Sequence, residues 1–106
     1  MFKILSLSWI FSNRAGRWSS FRKSFLAQHP KCEACDTTKS LTVHHIIPVS
    51  VDSSKELEED NCIALCKTCH FVFGHLHLYT SWNVDVRKDC AAHLEKVRSR
   101  PCHQKG

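Results

Sequence analysis

Apolar residues along the chain gather into short blocks between polar stretches, and the spacing inside each block predicts its element. Trp18, Phe21, Phe25 and Leu26 recur at helical intervals, so a helix with one apolar stripe is predicted over Trp18–Gln28. Ser19 or Ser20 is its N-cap, His29-Pro30 its stop, and Ser12–Gly16 before it reads as a loop. Leu41-Thr42-Val43-His44 is a β-branched run that predicts a strand, with Pro48 ending the pairing soon afterwards. Cys62-Ile63-Ala64-Leu65 predicts a second short strand or a turn. Lys67–Phe73 suits a short helix, with Gly74 as a stop that tolerates positive φ. Asp85–Val97 predicts a last helix carrying Val86, Cys90, His93, Leu94 and Val97 on one side. Val49–Asp60 is a long, polar and acidic connection of the kind that carries function or moves. The opening Met1–Phe11 is apolar but too short to span a bilayer, and no small-residue cleavage site follows it, so it reads as a strand or arm. The pattern predicts one α+β domain over residues 1–106. Its core covers about 18–89, with an N-terminal arm at 1–17 and a frayed basic tail at 98–106.

A domain of 106 residues has a limited core, and small domains often need a staple. The seven cysteines supply a candidate. Cys32-x-x-Cys35 and Cys66-x-x-Cys69 place four thiolates within reach of one ion, which makes a closed tetrahedral zinc site with a structural job. A secreted disulfide framework is disfavoured by the odd count, the paired spacing and the lack of a secretion signal, so a reducing cytoplasm is expected. Cys62 and Cys90 read as small buried apolar residues and Cys102 as part of the tail. With the tetrahedron filled by sulfur, chemistry falls to the histidines between and just after the knuckles, His44, His45, His70 and His75, while Asn61 alone reads as an ordinary turn residue that only its place in the order singles out. His29, His93 and His103 lack a motif and read as surface or core residues.

The formal net charge of +5 is unevenly spread. Lys3, Arg14, Arg17, Arg22, Lys23 and Lys31 precede a single acid, Glu33, and Lys96, Arg98, Arg100 and Lys105 end the chain without one. The acids cluster at Asp52–Asp60. Arg17, Arg22 and Lys23 lie off the apolar stripe of the first helix, where they either face a phosphate backbone or only solvate the surface.

The ordered set Cys32-x-x-Cys35, His44-His45-Ile46-Ile47-Pro48, Asn61 and Cys66-x-x-Cys69-His70 resembles the HNH nucleases of the ββα-metal class, in the zinc-knuckle branch. The resemblance covers about Trp18 to Asp89, and Phe73-Gly74-His75 with Trp82-Asn83 is similar to small phage and bacterial members. It implies a small ββα-metal core stapled by a four-cysteine zinc site, with flanking N- and C-terminal helices. It also implies catalytic roles for His45, Asn61 and His70. His45 would be the general base that activates water, and Asn61 would orient His45 by hydrogen bonding and hold the loop. His44 and His70 would be ligands of one catalytic divalent ion, magnesium or another. Many members place a further metal-binding His one helical turn after the position of His70, where this chain has Gly74. On an ideal helix His75 lies roughly 140° around from His70, and His77 is roughly two turns along, too far to share an ion. A helix ending at Gly74 lets the chain turn and bring His75 back, so His75 is taken as the third ligand and water as the rest. The first ligand position is His where many relatives carry Asp.

The function implied is a metal-dependent endonuclease that hydrolyses DNA phosphodiesters, held to DNA mainly through the phosphate backbone and with no membrane partner. The alternative is a non-catalytic zinc-ribbon module that binds nucleic acid or protein, or a nuclease that has lost its activity. A binding module has no use for His44, His45, Asn61 and His70 in this order.

Overall fold

The computed structural model describes residues 14–100. Helix α1 spans Arg14–Gln28. Arg14–Gly16, expected in a loop, are helical, and Ser19 and Ser20 lie inside the helix rather than at its cap. Arg and Ala are strong helix formers, and Gly16 adds only a modest helical cost, at a place where an added Cβ would meet nothing within 4 Å. The rest of the expected arm, residues 1–13, falls outside the described residues, as do Cys102 and His103. The helix stops where predicted, one turn closing on His29 N–H to Phe25 C=O at 2.8 Å.

Strand β1, Leu41–His45, pairs antiparallel with β2, Cys62–Cys66, which settles the strand-or-turn alternative. His45 stands opposite Cys62, His44 opposite Ile63 and Val43 opposite Ala64. Because side chains alternate along a strand, β2 sends Ile63 and Leu65 to one face and Cys62 and Ala64 to the other. Both faces are covered, so β2 reads as a continuous apolar run. Cys62, Ala64 and Val43 pack on Phe25, with Trp18, Phe21 and Leu26 around them. Ile63 and Leu65, both fully buried, pack with Cys32, Ala34, Cys69, Val86 and Cys90. Each of these two side chains contributes about 1.5–3 kcal/mol by leaving water.

After β2 the chain makes one α-helical turn, α2, at Lys67–Cys69, and then a π turn at His70–Gly74. Gly74 ends this segment as expected but for a different reason, since no glycine among the described residues has positive φ. The last helix, α3, covers Val86–Ser99, with Val86 and Cys90 buried at its start. Arg98 and Ser99 therefore belong to a helix rather than a frayed tail. Arg98 is held there by a two-pronged pairing, Nε to Asp36 Oδ2 at 2.7 Å and Nη2 to Oδ1 at 3.0 Å. That pairing keeps the Asp36 carboxyl below the usual carboxylate range. The sheet, the helical segment after it and the flanking helices α1 and α3 make the small α+β, ββα architecture. No described helix is long and apolar enough to cross a membrane.

Candidate functional site

The fold brings together two ligand clusters among the described residues. The first is sulfur. Sγ atoms of Cys32, Cys35, Cys66 and Cys69 lie within 4.8 Å of one another, with Cys35 and Cys66 3.9 Å apart. Tetrahedral Zn–S bonds of about 2.3 Å require sulfurs about 3.8 Å apart, so the spacing fits a zinc ion. None of these cysteines is in a disulfide. Local hydrogen bonds shape the first knuckle: Cys32 N–H donates to Thr37 C=O at 2.8 Å and Asp36 N–H to Cys32 C=O at 2.9 Å. Asp36 takes φ 67°, a left-handed conformation that Asp tolerates. Glu33 N–H then ties the knuckle to β2 through Ala64 C=O at 2.9 Å. Burial, reinforced by the neighbouring sulfurs, pushes the Cys69 thiol well up, an effect that a bound cation reverses by deprotonating its ligands.

The second cluster is imidazole. One ligand nitrogen from each of His44, His70 and His75 lies within 4.8 Å of the others. His44 comes from β1, His70 opens the π turn and His75 follows it. The π turn closes His75 N–H onto His70 C=O at 3.1 Å, five residues back rather than four. Residues five apart thereby share one face, and the His70 and His75 rings stack with centroids 4.9 Å apart and planes at 26°. The expected detour at Gly74 is thus a widened helical turn. Gly74 serves a second purpose: a Cβ there would lie 2.9 Å from Cε1 and Nδ1 of His44, so only glycine lets the backbone pass beneath that ring.

Hydrogen bonds aim two of these rings. Thr42 Oγ1 donates to Leu65 C=O at 2.7 Å and accepts from His70 Nδ1–H at 2.9 Å. His75 Nδ1–H donates to Ser81 C=O at 2.9 Å. With both Nδ1 atoms committed as donors, the two Nε2 atoms carry lone pairs and face each other at 3.2 Å. His44 Nε2 is buried and has no partner. Lone pairs converging beside an orphaned buried nitrogen are unfavourable unless a cation lies among them, so these residues fit a divalent ion. Burial, with His70, His75 and His45 nearby, pushes His44 down to about 3. Burial, with His75 and His45 nearby, takes His70 down to about 4. Both rings are therefore neutral near pH 7, as ligation requires.

His45 projects from the other face of β1, where its ring lies 4.8 Å from that of Trp18. It still lines the same cavity of about 270 Å³ as His44, His70 and His75, together with Val43, Pro48 and Val49. Its Nε2–H donates to Glu56 C=O at 2.9 Å, which leaves the lone pair on Nδ1. Asn61 was expected to orient His45 directly, and it does not. It is buried and bridges the inter-strand connection: Oδ1 accepts from Ile47 N–H at 2.9 Å, and Nδ2 donates to Ile47 C=O at 3.0 Å and Lys55 C=O at 3.3 Å. An amide so committed holds the loop that carries Glu56, and Glu56 holds the imidazole.

Sequence reasoning passed over Thr42, Gly74's close approach, Trp18's contact and the carbonyls of Glu56 and Ser81. Thr42 could have been found, since it shares the strand face of His44 two residues on. A backbone carbonyl leaves no side-chain signature. A larger cavity, about 340 Å³, is lined by Phe25, His29, Glu33, Glu59, Asp60, Cys62 and Arg87. There Arg87 is already engaged, with Glu33 at 3.3 Å and Cys62 C=O at 2.9 Å, and none of the converging ligand groups among the described residues lies in it.

A two-stranded antiparallel sheet followed by a helical segment, with a four-sulfur cluster and an imidazole cluster, is the arrangement of a ββα-metal protein. Residues 32–71 match the family model HNH endonuclease, and the four clustered cysteines at the two ends of that stretch are consistent with its zinc-knuckle kind. His75 and the helices α1 and α3 lie beyond the matched stretch. No curated protein matches the chain, and no solved structure does.

Proposed function

We propose that the chain is a metal-dependent endonuclease that hydrolyses DNA phosphodiesters, with His45 as general base. The observation that carries this reading is that His45 lines one cavity with the three converging imidazoles while its own tautomer is held by a carbonyl. His44, His70 and His75 would hold the divalent ion, magnesium or another, which would stabilise negative charge on the scissile phosphate. His45 Nδ1 takes the proton of the attacking water, and Glu56 C=O keeps Nε2–H in place and stabilises the imidazolium that forms. Asn61 contributes by keeping the loop with Glu56 closed. The four cysteines hold structural zinc and fix β1 relative to the π turn. Arg22 and Lys23, both exposed on α1, supply salt-sensitive contacts to the phosphate backbone.

The test is supercoiled plasmid with magnesium or manganese, cut by the parent chain and spared by His45→Ala. Zinc content and DNA affinity of the variant should match the parent. A plasmid left intact by both proteins, whatever the divalent ion, hands the chain to the non-catalytic binding reading; equal cutting by both removes His45 from the role of base.

A further inference from the structure

The segment between the π turn and α3 turns Ser81 and Asn83 inward, leaves His77, Thr80 and Asp85 exposed, and holds several apolar side chains out as well. The single Ser81 Oγ–H is shared between the carbonyls of His75 and Leu78, and Ser81 N–H also reaches Leu78 C=O, at 2.8 Å. His77 N–H donates to Phe71 C=O at 3.0 Å, and buried Asn83 donates to Phe73 C=O at 3.1 Å and Asp89 Oδ2 at 2.8 Å. Two successive non-glycine residues, Leu76 and His77, are held at φ 53° and 67°. Its apolar groups point outward: Leu76 is 50% exposed, Leu78 59%, Tyr79 67% and Val84 63%. A loop that only closes a fold turns such residues inward. Here two left-handed residues and a net of hydrogen bonds hold them out, which marks a shape imposed for contact.

Tyr79 stands closest to chemistry. Its ring centroid lies 5.1 Å from that of His75 and 4.8 Å from that of Phe71, with most of the ring open to solvent. Anything that stacks on Tyr79 is therefore adjacent to the imidazole cluster. A duplex offers little to such a ring, since its bases are stacked inside and its outer surface is sugar and phosphate. An unpaired base offers an apolar face of the right size, and a net charge of +5 favours the polyanion that carries it.

We infer that Tyr79 is a stacking platform for an unpaired nucleobase beside the imidazole cluster, which makes single-stranded nucleic acid, or a strand with unpaired bases, the preferred ligand of this site. The inference rests on the nuclease reading for the identity of the neighbouring site, but its test does not depend on cleavage. Binding of a 5′-labelled 12-residue oligothymidylate and of a 12-base-pair duplex is followed by fluorescence anisotropy without added divalent ion. Tyr79→Ala should weaken the single strand about tenfold and the duplex less than twofold, while Tyr79→Phe and Tyr79→Trp keep the parent affinity. A single strand carrying 2-aminopurine should be quenched on binding the parent and the Phe variant but not the Ala variant, a stacking signature that a merely structural role would not move. Equal loss on both ligands, an unquenched analogue with the parent, or no preference for the single strand overturns the inference. A change confined to self-association overturns it too and gives the surface to a protein contact. Tyr79-dependent single-strand binding by a chain that cuts no plasmid leaves this inference standing while the nuclease reading falls. Plasmid cutting with Tyr79-independent binding does the reverse.

Discussion

The backbone at Gly74 passes so close beneath His44 that an added methyl would sit 2.9 Å from the ring's Nδ1 and Cε1. A buried nitrogen without a partner and a residue without a side chain thus occupy the same few ångströms. Gly74→Ala should push the imidazole out of line with His70 and His75. Overpacking of this kind typically costs about 1–3 kcal/mol. Calorimetry with manganese should show weaker binding than in the parent, and thermal melting should show a lower midpoint. Parent-like values in both would mean that the ring can move freely, and the packing argument would fail.

Zinc comes next, because the sulfur cluster joins the first knuckle to the end of β2 and the helical turn after it. The purified chain should carry one tightly bound zinc per molecule, and strong chelation should lose helical signal as well as metal, since ligand binding and folding share one free energy. Cys32→Ser should behave like chelation. A chelated protein with an unchanged circular dichroism spectrum would remove the structural role.

Asn61 separates loop-holding from direct orientation. Asn61→Ala leaves the part-buried Ile47 N–H without its 2.9 Å acceptor, at a cost of about 1 kcal/mol. Cleavage should fall with it, because Glu56 C=O is released from His45, whereas manganese affinity at the three imidazoles should hardly change. Loss of metal binding and cleavage together would place Asn61 in a different role.

Trp18 lies in α1, outside the stretch that matches the family model, yet its ring is 4.8 Å from that of His45. Trp18→Ala should lower the rate of cleavage with little effect on manganese binding, and Trp18→Phe should restore most of it by refilling the contact. In the same way, a fragment limited to residues 32–71 should not fold even with zinc, because Phe25 and Val86 cover the two faces of the sheet from outside that stretch. A folded fragment by NMR would contradict this account of the core.

Much of this was legible in the chain itself. Cys-x-x-Cys spacing is local and chemically specific, and Leu41–His44 and Cys62–Leu65 carry the residue types that pair as strands. His44 and His45, adjacent on β1, had to face opposite ways, and they do. The start of α1 was harder to read because Gly16 and two serines look like a boundary, while packing of Trp18, Phe21 and Phe25 against β1 and β2 extends the helix past them. The direct Asn61–His45 bond was misjudged because order along the chain says which residues are near, not which carbonyl intervenes. Glu56 and Ser81 act through main-chain oxygen, for which any residue would serve.

The turn at His70–Gly74 also changes how kinship at this site should be counted. It closes on the fifth residue, so four residues separate its two imidazoles where an α turn would require three. A search template written for the shorter spacing would pass over His75, although the nitrogen it presents is in place. Ancestors and descendants of this segment can therefore differ by one inserted or deleted residue and keep the same pair of ring nitrogens side by side. Alignments across this helix end should be scored with a free gap between the two histidines, since it is the chain's length there, and not its chemistry, that can drift.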